Sequence, residues 1–306
     1  MKIKRNVFVS GNIIIPALFI LWSQFLFSQP LSGNYTIGGS SPDFNTLQNA
    51  ADALIANGVS GPITFLIRPG TYLEQNGRAP VMLLEQAVSG VSETNTITFK
   101  PDENSGGNVN NVILQIDSAE TVIGINVDFV RIFNLTVQDL TTSGHQQNSL
   151  IRLHGRTNQT SMENIHIFNC KFLGSPVYNE TPSFSNGKGT NIGIWIAKQS
   201  ITHYANIIIS DNYMELVNYG VFINQGNSFT NLQIHANVFK AITHKIAGQT
   251  NEGAGIDFDR LDNTSSIRIL ENIIDFSGGS GAVLNGIRMI SQGTLSSINA
   301  VIDKNQ

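Results

Sequence analysis

A nine-residue motif recurs in the second half of the chain, and it limits the possible fold more than any other feature. Copies begin at Asn206, Asn231 and Ser266, and each ends shortly after an Asn. Apolar residues alternate within each copy, as in Ile207 and Ile209, which is typical of a β-strand with one buried face. Repetition of one strand and one turn predicts a solenoid in which each copy belongs to one coil.

The Asn of the motif defines the period. Aligned copies place one residue of each coil at the same turn: Leu135, Cys170, Asn212, Asn237, Asn272 and Asn305. The steps between them are 35, 42, 25, 35 and 33 residues, so the shortest complete coil needs 25. A second strand follows in each coil and begins with a glycine: Gly193, Gly220, Gly255 and Gly286. We predict an all-β chain folded as a right-handed parallel β-helix, with an Asn ladder at the turn and a bend at each glycine.

One amphipathic helix is predicted near the N-terminus, over about 43–57. Asp43 is its expected N-cap, and Asn57-Gly58 ends it. We expect this helix to cover the open end of the coil stack, because unpaired strand edges recruit other chains. Helix and coils together form one domain, 29–306, whose last coil stops at its ladder residue; this predicts a longer chain or a covered last coil.

Residues 1–28 are predicted to be a signal peptide. Lys2, Lys4 and Arg5 precede an apolar run at 13–27, which is the expected order of charge and hydrophobicity. An uncleaved anchor is the alternative, since 7–27 is long enough to span a bilayer. No later segment reaches that length, so we expect no membrane span after leader removal and a secreted or cell-surface protein.

Net charge argues against a nucleic-acid partner. The chain has 18 Lys and Arg and 22 Asp and Glu, a formal charge of -4, and without the three leader cations it is 15 − 22 = -7. An acidic body offers no basic footprint to a phosphate backbone. Cys170 is the one cysteine, so an internal disulfide is excluded, and its ladder position predicts a buried, unreactive thiol.

Four N-terminal segments carry a family resemblance: YTIGG, FNTLQNA, GPITF and RPGTYLEQ, at 35–39, 44–50, 61–65 and 68–75. They resemble the start of pectin-lyase-like right-handed β-helix proteins, in particular the secreted or surface proteins of type IX secretion systems. The resemblance covers nearly all of the mature chain together with the later coils. It implies the fold and an extracellular location, and it does not imply a reaction.

The same block is similar to pectin methylesterases, whose first coil carries a Gly-x-Tyr-x-Glu pattern matched by Gly70, Tyr72 and Glu74. The other catalytic motifs of that family are missing where the resemblance would place them, because Gln138-Asp139 lies in a different coil. No catalytic role is therefore carried over, and the match is interpreted as a structural turn with a capping aromatic. The Gly-His-Gly and Arg-x-Lys motifs of polygalacturonases are also absent.

Stacking of the second strands predicts an outward row of Trp195, Phe222, Asp257 and Arg288. Two rings beside a carboxylate and a guanidinium suit a sugar chain, so these four are the predicted ligand-binding residues. Asp257 and Asp259 lie two apart on one strand, with Cα atoms ~6.5–7 Å apart. That separation suits glycosidic catalysis, with Arg288 as a partner, or calcium; a solvated, ion-paired edge is the alternative.

The predicted function is a secreted or cell-surface β-helix module that binds glycan or other extracellular ligands without catalysis. One alternative is a polysaccharide lyase or glycoside hydrolase acting on acidic polysaccharide at the same face. The other is a structural stalk or adhesin segment, which would be favoured if the insertion 173–190 covered Trp195 and Phe222. We expect no cofactor apart from calcium, and a monomer or part of a longer chain.

Overall fold

Three parallel β-sheets run along one axis in the computed structural model. The structure describes residues 29–74, 79–117, 119–140, 148–155, 159–175, 191–197, 203–223, 228–240, 252–261, 265–277, 283–291 and 299–306. Each coil contributes one strand to each sheet in the same order, and every strand pair is parallel. The chain is a right-handed parallel β-helix with an N-terminal capping helix, so the predicted fold class is confirmed.

The elements follow one another in chain order. The first half contains β1 (Leu31–Ile37), α1 (Leu47–Asn57), β2 (Val59–Ile67), β3 (Gly70–Leu73), β4 (Met82–Leu84), β5 (Ile97–Pro101), a 3₁₀ turn (Glu103–Ser105), β6 (Val112–Ile116), β7 (Thr121–Ile125), β8 (Val130–Phe133), β9 (Thr136–Asp139) and β10 (Asn148–Leu153). The second half contains β11 (Ser161–Phe168), β12 (Lys171–Leu173), β13 (Asn191–Ile196), β14 (His203–Ser210), β15 (Tyr213–Glu215), β16 (Tyr219–Ile223), β17 (Ser228–His235), β18 (Val238–Lys240), β19 (Glu252–Leu261), β20 (Ser266–Leu270), β21 (Ile273–Asp275), β22 (Val283–Ser291) and β23 (Asn299–Asp303).

One sheet has nine strands and the other two have seven each. Sheet 1 has nine strands: β1, β2, β5, β8, β11, β14, β17, β20 and β23. Sheet 2 has seven short strands: β3, β6, β9, β12, β15, β18 and β21. Sheet 3 has seven strands: β4, β7, β10, β13, β16, β19 and β22.

Equivalent apolar residues of successive coils lie above one another in the interior. Ile209 pairs with Ile234 and Ile234 with Ile269, and all three side chains have 0% exposure. Sheet 2 adds a second interior row, in which Phe172, Met214 and Phe239 are fully buried and Ile274 is partly buried. The alternation seen in the motif therefore fixes the register, because a shift by one residue would turn each buried row towards water.

The predicted Asn ladder is confirmed at the turn between sheet 1 and sheet 2. The amide Nδ2 of Asn212 donates to Oδ1 of Asn237 at 3.0 Å, and that of Asn237 donates to Asn272 at 2.9 Å. Asn272 continues the ladder to Asn305 at 2.9 Å. The residue before each ladder position has a positive φ whatever its type, even at Ala236 (55°). The ladder thus holds a backbone conformation that most side chains disfavour.

The second strands begin one to three residues before the predicted glycines, at Asn191, Tyr219, Glu252 and Val283, so each glycine lies inside its strand and does not begin it. Gly220 and Gly255 are required for space. A Cβ added to Gly220 would lie 2.2 Å from Cδ1 of Phe239, an interior ring of sheet 2. A Cβ on Gly255 would lie 2.9 Å from Cδ1 of Ile274. The predicted bend at these glycines therefore rests on close approach to the core, whereas their φ angles are ordinary.

The capping helix begins later than predicted, at Leu47, and its N-cap is Thr46 rather than Asp43. The Thr46 hydroxyl accepts from the amide of Asn49 at 3.1 Å, which satisfies one free donor of the first turn. Asp43 instead accepts from the backbone N–H of Thr36 at 2.7 Å. This bond explains the error, because Asp43 closes the loop before the helix and has no remaining role as its cap.

The side chain of Gln48 pairs with the edge of sheet 3. Its Oε1 accepts from the N–H of Leu83 at 2.8 Å, and its Nε2 donates to the carbonyl of Leu83 at 3.2 Å. Leu83 lies on β4, the first strand of that sheet. One side-chain amide therefore substitutes for a neighbouring strand, and the helix covers the open end as expected.

The Gly-x-Tyr-x-Glu segment has structural contacts. The hydroxyl of Tyr72 donates to the carbonyls of Arg68 (2.8 Å) and Ile37 (3.1 Å), and burial raises the pKa of this phenol. Glu74 Oε2 accepts from the backbone N–H of Ala119 at 2.7 Å. Both side chains tie one coil to its neighbours, which supports the structural interpretation of the motif.

Cys170 stands at a ladder position as predicted and is buried. Its thiol donates to the carbonyl of Phe168 at 3.4 Å, and burial raises its pKa to about 12. A thiol with such a pKa is protonated at neutral pH, and only the thiolate is nucleophilic. Cys170 is therefore a structural residue.

Some predictions fall on parts of the chain outside the described residues. These include the signal peptide, 1–28, and most of the insertion, 176–190. Within the described ranges, no helix is long and apolar enough to cross a membrane.

Candidate functional site

The outer face of sheet 3 carries the predicted row in register. Arg288 pairs with Asp257, Asp257 with Phe222, and Phe222 with Trp195. The row also continues towards the N-terminus, so that its full order is Leu83, Gly124, Arg152, Trp195, Phe222, Asp257 and Arg288. The four residues predicted from the sequence are thus the second half of a longer row.

The two aromatic residues of the row are closed to solvent. Trp195 is 8% exposed and Phe222 is 6% exposed. Both belong to a small apolar cluster on the outer side of sheet 3, separate from the main core: Ile192, Trp195, Ala197, Tyr219, Phe222 and Ala254. The rings therefore present little surface to a sugar, as in the covered alternative that the sequence analysis left open.

Asp257 and Arg288 form an ion pair. Asp257 has 0% exposure, and Arg288 Nε donates to its Oδ1 at 3.1 Å while a terminal guanidinium nitrogen donates to Oδ2. Both carboxylate oxygens are therefore engaged by one guanidinium. Asp259, the second predicted carboxylate, is partly exposed on the same strand. The pairing agrees with the ion-paired alternative considered from the sequence, but the pair is buried, whereas that alternative placed it at a solvated edge.

A pocket opens at the N-terminal end of the row. It has a volume of about 270 Å³ and is lined by Pro80, Leu83, Glu85, Glu120, Thr121, Arg152 and His154. These residues lie on strands β4, β7 and β10 or within two residues of their ends, in three successive coils. Two carboxylates, one guanidinium and one imidazole thus surround an apolar wall made by Leu83 and Pro80. We call this site the Arg152 pocket.

Gly124 lies next to two residues that line the Arg152 pocket, Leu83 and His154. It stands between Leu83 and Arg152 in the outward row. A Cβ at Gly124 would lie 2.5 Å from Cδ1 of Leu83 and 3.5 Å from Nε2 of His154. Any other residue at this position would therefore fill the space that the surrounding polar groups face.

The guanidinium of Arg152 lies over the ring of Trp195, with its carbon 4.6 Å from the ring centroid. This cation–π contact orients the cation towards the pocket and gives the buried ring a polar neighbour. Burial lowers the pKa of Arg152, while Glu120, Glu85 and Tyr204 act in the opposite direction. Because a guanidinium stays protonated in proteins, Arg152 supplies fixed donors to the pocket.

His154 directly follows the last residue of β10. Its backbone N–H donates to the carbonyl of Ile125 at 3.0 Å, which continues the ladder of sheet 3. Its Nε2 is 3.7 Å from Oε1 of Glu85, and the side chain is 9% exposed. The pocket therefore combines donors from Arg152 with acceptors from the carboxylates, a set suited to hydroxyl groups.

The pocket residues were missed because the early coils were not aligned in the sequence. Strands β4 and β7 are three and five residues long, too short to show a motif. One signal was present: extending the row of Trp195 upstream by one coil reaches Arg152.

Among the described residues, no group of three or more His, Cys, Asp or Glu side chains is placed to hold a metal ion. Asp257 and Asp259, the predicted calcium ligands, are not part of such a group. Both carboxylate oxygens of Asp257 contact Arg288 instead.

The chain is similar to pectin methylesterases of known structure. The rice weevil enzyme is 16% identical, covering 83% of this chain and 68% of its own, with a TM-score of 0.47. The enzyme from Aspergillus niger, in a penultimately deglycosylated form, is 15% identical over 88% of both chains, with a TM-score of 0.37. No family model and no curated protein matches this sequence. The fold assignment rests on the sheets themselves.

Proposed function

We propose that this protein is an extracellular β-helix module that binds glycan, and that a sugar unit occupies the Arg152 pocket. The observation that carries the proposal is the pocket itself: a concave site with fixed donors, two carboxylate acceptors and an apolar wall. Sugars present hydroxyls around an apolar ring face, and such a lining matches both. The proposed site therefore differs from the one predicted from the sequence. It lies at the N-terminal end of the row, next to the buried rings of Trp195 and Phe222.

Trp195 then acts as a support. Its ring lies under the guanidinium of Arg152 and holds the donor towards the pocket. Asp257 and Arg288 lie beyond Phe222 in the row and satisfy each other. The predicted ligand-binding residues therefore stabilise the outer face of sheet 3, and Arg152, Glu85 and Glu120 contact the ligand.

The variant Arg152→Met tests this proposal. Methionine keeps an unbranched apolar stem against Trp195 but removes the donors, so glycan affinity should fall at least about tenfold. Arg268→Met is the matched control, because Arg268 is exposed on the outer face of sheet 1. Calorimetric titration with neutral and acidic oligosaccharides measures both. Equal affinities for the two variants would place the ligand elsewhere.

Gly124→Ala tests the shape of the pocket without removing a polar group. The new Cβ displaces the flexible end of Leu83 into the pocket, so affinity should fall about tenfold at a modest cost in stability. Gly286→Ala is the control on the same sheet, because its Cβ would make an ordinary contact at 3.7 Å from Ile274. Unchanged binding by Gly124→Ala would exclude this pocket as the sugar site.

A second candidate function is cleavage of a polysaccharide at the same pocket. The observation in its favour is that Glu85 and Glu120 line the pocket together with His154, which is a set able to give and take protons. New reducing ends or unsaturated products after incubation with polysaccharides, with and without calcium, would support it. Loss of that product in Glu120→Gln would assign the reaction to this site, and an absence of product would leave binding alone.

A further inference from the structure

Three rings form a patch on the outer face of sheet 1, away from the Arg152 pocket. Phe133 and Phe168 face each other across β8 and β11, with centroids 4.1 Å apart and planes at 77°. His166 stacks on Phe168 at 5.3 Å and 28°, and lies 5.6 Å from Phe133. All three side chains are partly exposed. We call Phe133, His166 and Phe168 the ring patch.

Polar groups border the ring patch on one side. Asn134 and Asn169 directly follow the two phenylalanines, and Nδ2 of Asn169 donates to Oδ1 of Asn134 at 2.8 Å. Asn169 is exposed, so its amide also faces solvent. Each phenylalanine of the ring patch is therefore followed by a side-chain amide, and the two amides are one coil apart, ~4.8 Å.

A cation borders the ring patch on the other side. Arg131 pairs in register with His166 and is exposed. Burial lowers the pKa of His166, Arg131 and His235 lower it further, and Asp211 acts against them. His166 therefore contributes a neutral ring at neutral pH, next to the fixed cation of Arg131 and the carboxylate of Asp211.

We propose that the ring patch is a second glycan-binding surface, which takes a chain carrying carboxylate or sulfate groups. Rings accept the apolar faces of sugars, the Asn134–Asn169 amides bind hydroxyls, and Arg131 pairs with the anionic group. A contiguous apolar patch that solvent can reach marks an interaction site when polar groups border it, as they border these partly exposed rings. Two glycan sites on different sheets of one rigid solenoid would bind a long chain, or two chains, with added avidity.

The test uses the Arg152→Met background, in which the pocket contributes little. Adding Phe168→Ala should weaken binding of an oligogalacturonate at least about tenfold, because an aromatic anchor is lost. The matched control is Leu270→Ala, a partly exposed apolar residue in the same outward row of sheet 1. Thermal unfolding of each variant shows that the fold is kept.

Charge is tested separately. Arg131→Met should reduce the affinity for oligogalacturonate and leave that for a neutral oligosaccharide unchanged, whereas Arg268→Met should change neither.

Three results would overturn the proposal. The first is that Phe168→Ala binds as its parent does; the second is that Arg152→Met alone abolishes all binding. The third is that polyglutamate competes as well as the glycan, which would make the ring patch a site for acidic protein segments. If Arg152→Met leaves the glycan affinity unchanged and Phe168→Ala lowers it, the result supports the ring patch and contradicts the pocket.

Discussion

Replacing Asp257 with Ala should lower the free energy of unfolding by about 3–5 kcal/mol, because it leaves the guanidinium of Arg288 without its carboxylate inside the structure. Asp257 has 0% exposure, and the side chain of Arg288 is only 17% exposed. A cation in that setting cannot regain full hydration. The cost therefore reflects the charge that remains more than the attraction that is lost.

The double variant Asp257→Met with Arg288→Met separates these two contributions. Removing both charges should restore most of the lost stability, since well-packed apolar residues replace a buried pair at little cost. Equilibrium unfolding in urea gives the three free energies. Asp117→Ala, on an exposed side chain, is the control and should change stability by less than about 0.5 kcal/mol. A double variant as unstable as Asp257→Ala would contradict this explanation.

Asn237→Leu should cost at least about 3 kcal/mol, because several buried polar groups lose their partner at once. Oδ1 of Asn237 accepts from the backbone N–H of Asn212 at 3.1 Å and from its amide at 3.0 Å. Nδ2 of Asn237 donates to the carbonyl of Ile209 at 2.9 Å and to Asn272 at 2.9 Å. Leucine offers none of these bonds and also must fit beside Ala236, whose φ is positive.

Asn237→Cys should be less damaging than Asn237→Leu. Cys170 holds the equivalent place two coils earlier, where its thiol donates to the carbonyl of Phe168 at 3.4 Å. A cysteine at 237 can make the corresponding bond to the carbonyl of His235, which Asn237 now binds at 3.1 Å. Asn110→Leu, in an exposed turn, is the control. If all three variants unfold at the same urea concentration, the ladder contributes nothing to stability.

The fold could be predicted from the sequence because its repeating features are local. Alternation of Ile207 and Ile209 sets the inward face, and the period then places Ile234 and Ile269 above them. The ladder follows from the same alignment. The helix start was wrong because Asp43 and Thr46 both suit an N-cap, and the choice between them depends on a distant strand, where Thr36 binds Asp43.

The candidate site could be predicted only in part. Register alone gave the row from Trp195 to Arg288, and the structure confirms that row. Whether a ring in the row is exposed to solvent depends on contacts from outside the sheet. The repeat pattern of the sequence does not predict those contacts. The Arg152 pocket exists because Gly124 lacks a Cβ between two larger neighbours, and its importance becomes visible only when three coils are stacked.

A crystal structure with a bound oligosaccharide is the most direct test of the central claim, that the outer face of sheet 3 holds sugar beside Arg152. We predict one sugar ring against Leu83 and above Gly124, with hydroxyls in contact with Arg152 and at least one of Glu85 and Glu120. A saturating oligosaccharide that leaves this pocket to solvent while it occupies another face would contradict the account.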